Sequence, residues 1–137
     1  MPAAFGRGIC AAADLIENAF PDLSAVLDPT YEQLADTEAK TELLRRMDEV
    51  EPAITDAVTA FESVPPWPPG TDAVGYLRES LMLYRESLDT FRIALESGDY
   101  GGLVDAYAAA KDADAELELF GAALERLRDG DPAFRCP

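Results

Sequence analysis

The sequence predicts an all-α protein: one antiparallel up-down-up-down four-helix bundle over residues 1–137, left-handed, with a Pro-rich linker between helices 2 and 3. Three observations predict it. Apolar residues recur in alternating steps of three and four over four separate stretches, the spacing of one helical face. Short Pro- or Gly-bearing connections separate those stretches and make successive helices antiparallel neighbours. Within Thr71–Leu127, the apolar pattern and the charge pattern independently agree on one hairpin register. A chain of 137 residues with 48% hydrophobic content has enough apolar surface to bury a core as a single domain.

The first helix is expected over about 8–27, with Ile9, Ala13, Ile16, Phe20, Leu23 and Leu27 on its stripe. Pro21 lacks the N–H of an interior position, so a kink or a fresh start is expected there. Asp28-Pro29 ends the element, because the residue before proline is pushed out of the α region.

Thr30 and Gln33 form a capping-box signature for a second helix over about 31–63. Its buried face reads Leu43, Met47, Val50, Ile54, Ala57 and Phe61. Pro52 falls inside, yet the stripe keeps its register from Val50 to Ile54, so a bend is expected and not two helices. Residues 64–71 form the linker. Val64-Pro65-Pro66-Trp67-Pro68-Pro69-Gly70 should run extended, near polyproline II.

The third helix is expected over 72–97, capped by Thr71 or Asp72 and ended by Gly98. Its stripe is Val74, Leu77, Leu81, Tyr84, Leu88, Phe91 and Leu95. The fourth is expected over 100–128, capped by Asp99, with Leu103, Ala106, Ala110, Ala113, Leu117, Phe120, Leu124 and Leu127 on its stripe. Arg126 and Arg128 suit its C-terminal dipole. The supercoil should be left-handed wherever the seven-residue period is sustained.

Folding the hairpin about Gly98 sets Phe91 against Ala106, Leu88 against Ala110, Tyr84 against Ala113 and Leu77 against Phe120. Large side chains then meet small ones, as dense packing requires. Arg78, Arg85 and Arg92 recur at seven-residue steps, a spacing that alone would suit an anion-binding ridge. The register instead sets Arg92 near Asp105, Arg85 near Asp112, and Arg78 near Glu116 and Glu118. Such exposed pairs select register more than they stabilise, at about 0.3–1 kcal/mol each.

The formal charge is −16 and the pI about 4.1, which argues against direct binding to nucleic acid or an anionic membrane. There is no histidine, the usual general base and metal ligand. No phosphate-binding glycine motif occurs, and a cysteine nucleophile would lack its activating base. No catalytic, cofactor-binding or metal-ligating residue is assigned, and the chain reads as non-enzymatic. Asp112-Ala-Asp114-Ala-Glu116-Leu-Glu118 lacks the sixth-position glycine of a calcium loop and lies in a helical stripe. No apolar run is long enough to insert in a membrane, and residues 1–20 do not read as an intact secretory signal. Arg outnumbers Lys nine to two, and the Ala, Asp, Gly and Pro bias suggests a high-GC bacterial genome.

Trp67, held between proline pairs, is either a lid on the bundle end or a ligand for a partner's aromatic groove. The lid is the better reading for a lone indole. Met82, Ile93 and Val104 lie off the stripes and would mark a protein-binding patch if they emerge together. Cys10 and Cys136 fall where an up-down-up-down bundle brings its ends together. A disulfide is therefore expected, and with it an exported protein, secreted or periplasmic after signal removal.

The leading expectation is an acidic bundle acting through protein–protein binding, as a monomer or weak dimer, with an unidentified protein partner, for which a basic surface would complement the charge of −16. One alternative is an acidic inhibitor or nucleic-acid mimic occupying a basic groove. Another is a carboxylate-based cation binder.

Overall fold

Four apolar stripes become four helices in the computed structural model, which describes residues 1–27, 34–131 and 136, without the side chains of Phe20, residues 22–25 and Leu27. Helix α1 runs Ala3–Leu27, α2 Thr37–Glu62, α3 Thr71–Ser97 and α4 Gly101–Gly130, with a 3-10 turn at Pro68–Gly70. Among the described residues there is no strand. Consecutive helices pack as neighbours, most extensively α3 on α4 and α1 on α2, and less so α2 on α3. The start of α1 lies beside the end of α4, where the Met1 ammonium meets Asp131 at 2.7 Å. The architecture is the expected bundle.

Helix α1 starts about five residues earlier than expected. Gly6 and Gly8 look like punctuation, but Phe5 extends the stripe one turn beyond Ile9, and both are fully buried. Gly8 serves packing: a Cβ there would lie 3.0 Å from Val64 Cγ2. The helix continues through Pro21 in place of restarting there. The stripe positions Phe20, Leu23 and Leu27 lie outside the described side chains, and the capping box at Thr30 and Gln33 lies outside the described residues.

Helix α2 starts at Thr37, where the Asp36 side chain accepts a hydrogen bond from the Ala39 N–H at 3.0 Å. It is one continuous helix across Pro52, whose side chain is exposed. Its stripe of Leu43, Met47, Val50, Ile54, Ala57 and Phe61 is buried throughout.

The linker is extended only as far as Trp67, whose φ of −147° and ψ of 112° suit a residue before proline. It then turns, and Gly70 donates to the Trp67 carbonyl at 2.9 Å. Gly70 is the N-cap of α3. Thr71 and Asp72, expected as caps, lie in its first turn, and the Thr71 hydroxyl donates to the Pro68 carbonyl at 2.8 Å. The glycine is dictated by crowding, since a Cβ at position 70 would fall 2.2 Å from Phe5 Cζ.

Gly98, at φ 73°, ends α3 in the left-handed region. Asp99, expected as the cap of α4, stands one residue too early: Tyr100 is the N-cap and has no side-chain capping bond, while the Asp99 carboxylate accepts from the Gly101 N–H at 3.2 Å.

Across the α3–α4 interface, the buried Ser80 and Ser87 hydroxyls donate to the Ala113 and Ala106 carbonyls at 2.9 and 2.6 Å. A Cβ on Gly102 would touch Ala94 Cβ at 3.1 Å. The register is therefore the expected one to within a helical turn.

The arginine pairing is not as expected. Arg92 holds Asp48 at 2.7 Å and Glu51 at 2.9 and 3.0 Å, both on α2. Those carboxylates raise its pKa, Asp48 most. Arg78 lies over the Phe61 ring, 5.4 Å from its centroid. Arg85 lies beside Ile54 and Thr55, again on α2. None of the three pairs with Asp105, Asp112, Glu116 or Glu118 within 4.0 Å. The cause is rotational: one residue past a core position turns the side chain about 100° around the helix, and on α3 that turn faces α2. The opposite flank, carrying Ser80 and Ser87, faces α4.

Candidate functional site

The α2–α3 seam opens into a cleft of about 530 Å³. Val58, Phe61, Val64, Val74 and Leu81 supply its apolar walls. Val58 sits just off the buried stripe of α2; Val74, expected on the stripe of α3, is only half-buried because it faces the cleft, and Val64 follows the last turn of α2. Phe61 keeps only 8% of its surface, whereas Met82 at the rim keeps 59%. Arg78 and Arg85 border the cleft, and Glu62 stands on the α2 side. No carboxylate among the described residues lies within 4.0 Å of either guanidinium. Arg78 instead spends its contact on the face of Phe61. A second, smaller hollow of about 100 Å³ adjoins Arg85, lined also by Glu51, Ile54 and Asp89.

Of the four sequence-assigned candidates, Met82 alone is placed at this cleft. Ile93 and Val104 are 66% and 71% exposed and are not part of its lining. Ile93 lies eleven residues beyond Met82 on the same outward face, about 16.5 Å along the helix. Trp67 is partly buried, with its indole edge-on to Phe5 at 5.0 Å between ring centroids and an interplanar angle of 62°. It covers the end of the core as a lid does, though less deeply than a fully enclosed indole.

The Cys10 and Cys136 sulfurs are 2.09 Å apart, within disulfide bonding, and the Cα atoms 5.4 Å apart. Cys10 is buried and Cys136 exposed.

Within the acidic run of α4, Asp114 accepts a hydrogen bond from the Tyr84 hydroxyl at 2.5 Å. Burial, and secondarily Asp114, pushes the Tyr84 hydroxyl pKa up. Elsewhere Arg45 and then Arg46 hold the Glu42 carboxyl down to about 2. Among the described residues, no group of three or more His, Cys, Asp or Glu is placed to hold a metal ion. No helix among them is long and apolar enough to cross a membrane.

No family model, curated protein or solved structure matches this chain. The sequence pattern hides the cleft walls because Val58 looks like a stray beside its stripe and Val74 like one more buried position on its own. The signal that could have found them is that both are β-branched residues three positions before a buried one, Phe61 and Leu77. The seven-residue arginine step is visible in the sequence, but the neighbour it faces, α2 and not α4, is not.

Proposed function

We propose that this chain is a non-enzymatic, acidic helical bundle that acts by binding another protein. The observation that carries the proposal is the α2–α3 cleft. It combines apolar walls, an exposed methionine and two arginines without carboxylate partners on a chain of net charge −16. Protein recognition draws on such a combination, an apolar floor giving affinity and a few polar groups setting orientation. Met82 suits a binding surface because its unbranched, polarizable side chain adapts to what it meets. The Cys10–Cys136 pair supports placement in an oxidising compartment, where such a bond persists.

Capture from extract of the source cell with the wild-type chain and with Val58→Asp tests the reading. A partner held by the wild type and lost by a folded variant supports it, once the purified pair reproduces the difference. Identical captured proteins from both would remove the cleft from consideration.

A second reading has its own observation. Because the arginines face α2, Asp105, Asp112 and Glu118 on α4 are exposed without an ion pair within 4.0 Å. Such a face suits a basic groove, as an inhibitor or nucleic-acid mimic would use. Charge reversal at Asp105 and Asp112 would then weaken a salt-sensitive complex with a basic partner and leave the cleft complex intact.

A further inference from the structure

We propose that the α2–α3 cleft takes an amphipathic helix of a partner protein whose apolar ridge is flanked by carboxylates seven residues apart. This rests on the protein-binding reading above and names the partner's chemistry. The first reason is charge complementarity against the background. With 27 acidic residues against 11 basic, the chain as a whole attracts cations. Arg45, Arg46 and Arg92 are taken up by carboxylates of their own chain. Arg78 and Arg85 border one apolar cleft with no such partner, so the local preference is opposite to the global one.

The second reason is spacing. Arg78 and Arg85 are seven residues apart on one helix, about 10.5 Å along its axis. Arg78 is drawn over Phe61, while Arg85 borders the adjoining hollow beside Ile54. They mark two points along the seam, so a single carboxylate or phosphate headgroup would meet only one. A helix returns the same face every seven residues, and carboxylates at i and i+7 would meet both.

The third reason is length. From Val74 to Arg85 the seam runs eleven residues, about 16.5 Å or three turns. That length accommodates apolar anchors at i, i+3 or i+4, and i+7 between the arginines and the α2 wall. Glu62 on that wall leaves one place for a basic residue on the partner's opposite flank.

A display library of single-helix peptides selected on the folded, disulfide-intact protein tests the proposal. Counter-selection uses the Arg78→Glu/Arg85→Glu double variant, its fold checked by thermal melting, with Arg85→Gln in reserve should the double variant not fold. The expected result is enrichment of peptides with Asp or Glu seven apart beside an apolar ridge, binding the variant about tenfold or more weakly. Enrichment of basic peptides, which bulk charge alone would select, overturns the proposal. Acidic peptides that bind wild type and variant equally also overturn it, but leave protein binding standing at another surface. Sodium oleate and sedimentation velocity serve as controls on the same pair of proteins. Arginine-dependent oleate binding without peptide enrichment would make the occupant an amphiphile, and arginine-dependent dimerisation would make it a second copy; either result sinks the partner helix.

Discussion

Reducing the Cys10–Cys136 bond is expected to lower the melting temperature more than any other single perturbation. The bond spans a sequence separation of 126 residues, nearly the whole chain. Loop-closure entropy for a ring of that size stabilises the fold by about 5 kcal/mol at 25 °C. A chain of 137 residues unfolds with an entropy of about 0.29 kcal/mol/K near its midpoint, so the ceiling on the shift is about 17 °C. Residual structure in the reduced, unfolded chain brings the measured value below that ceiling.

The assay is thermal unfolding by circular dichroism with and without a phosphine reductant, repeated on Cys136→Ser. Position 136 is the right one to change, because it is exposed, whereas a serine at the buried position 10 adds the cost of a hydroxyl in the core. The variant should melt where the reduced wild type melts, and reductant should not move it further. A shift under about 3 °C, or two titratable thiols in denatured, unreduced protein, would refute both the staple and the case for an oxidising compartment.

Gly70→Ala should destabilise by about 1–3 kcal/mol, because the new Cβ would collide with the Phe5 ring; Gly75→Ala, with nothing within 4 Å, should stabilise by about 0.5–1 kcal/mol. Chemical denaturation of the two variants separates the outcomes, and equal effects would mean that Phe5 does not pack on the α3 N-terminus. A double-mutant cycle on Arg92 and Glu51, 25% and 37% exposed, should return about 0.3–1 kcal/mol of coupling. The same cycle on Arg85 and Asp112 should be additive, and coupling there would restore the α4-facing arrangement. Glu42 gives a pH signature. Its folded pKa of about 2 lies below the ordinary 4.5, so its stabilising effect is complete above pH 4.5 and lost as pH falls through 2. Acid melts of Glu42→Gln should therefore decline less steeply than wild type over that window, and parallel curves would show that the Arg45 and Arg46 contacts do not persist in solution.

Periodicity made the stripes legible. Leu43 through Phe61 on α2 are buried at every expected position, as are Leu77, Leu81, Tyr84, Leu88, Phe91 and Leu95 on α3. The convergence of Cys10 and Cys136 was legible for a related reason, since an even number of antiparallel helices returns the chain to its starting end. Trp67 was legible as a lid, though not the depth of its cover. What a one-dimensional pattern does not carry is the side of the stripe on which each neighbour stands. Arg78, Arg85 and Arg92 were known to flank the core, but which flank meets α2 depends on the order of helices around the bundle. Ser80 and Ser87 were missed because hydroxyls count as gaps in an apolar stripe, although each satisfies itself on an α4 carbonyl.

Those two misses have one physical origin, and it accounts for the cleft. Along the α3–α4 seam the facing residues are small: Ser80, Ser87 and Ala94 on one side, Gly102, Ala106 and Ala113 on the other. Small residues let backbones approach, and there the hydroxyls reach carbonyls and the packing is most extensive. Along the α2–α3 seam the facing residues are bulky or charged, with Phe61 opposite Arg78 and Ile54 beside Arg85. Guanidinium groups keep their heads near water and their stems against apolar walls, so they line a seam without sealing it. The bundle closes tightly on its α4 side and stays open on its α2 side because of where α3 carries serine and where it carries arginine. Replacing Arg85 with leucine should therefore narrow the cleft and raise stability, while abolishing whatever binding depends on it. A variant that gains stability and keeps its partner would break the link between the open seam and function.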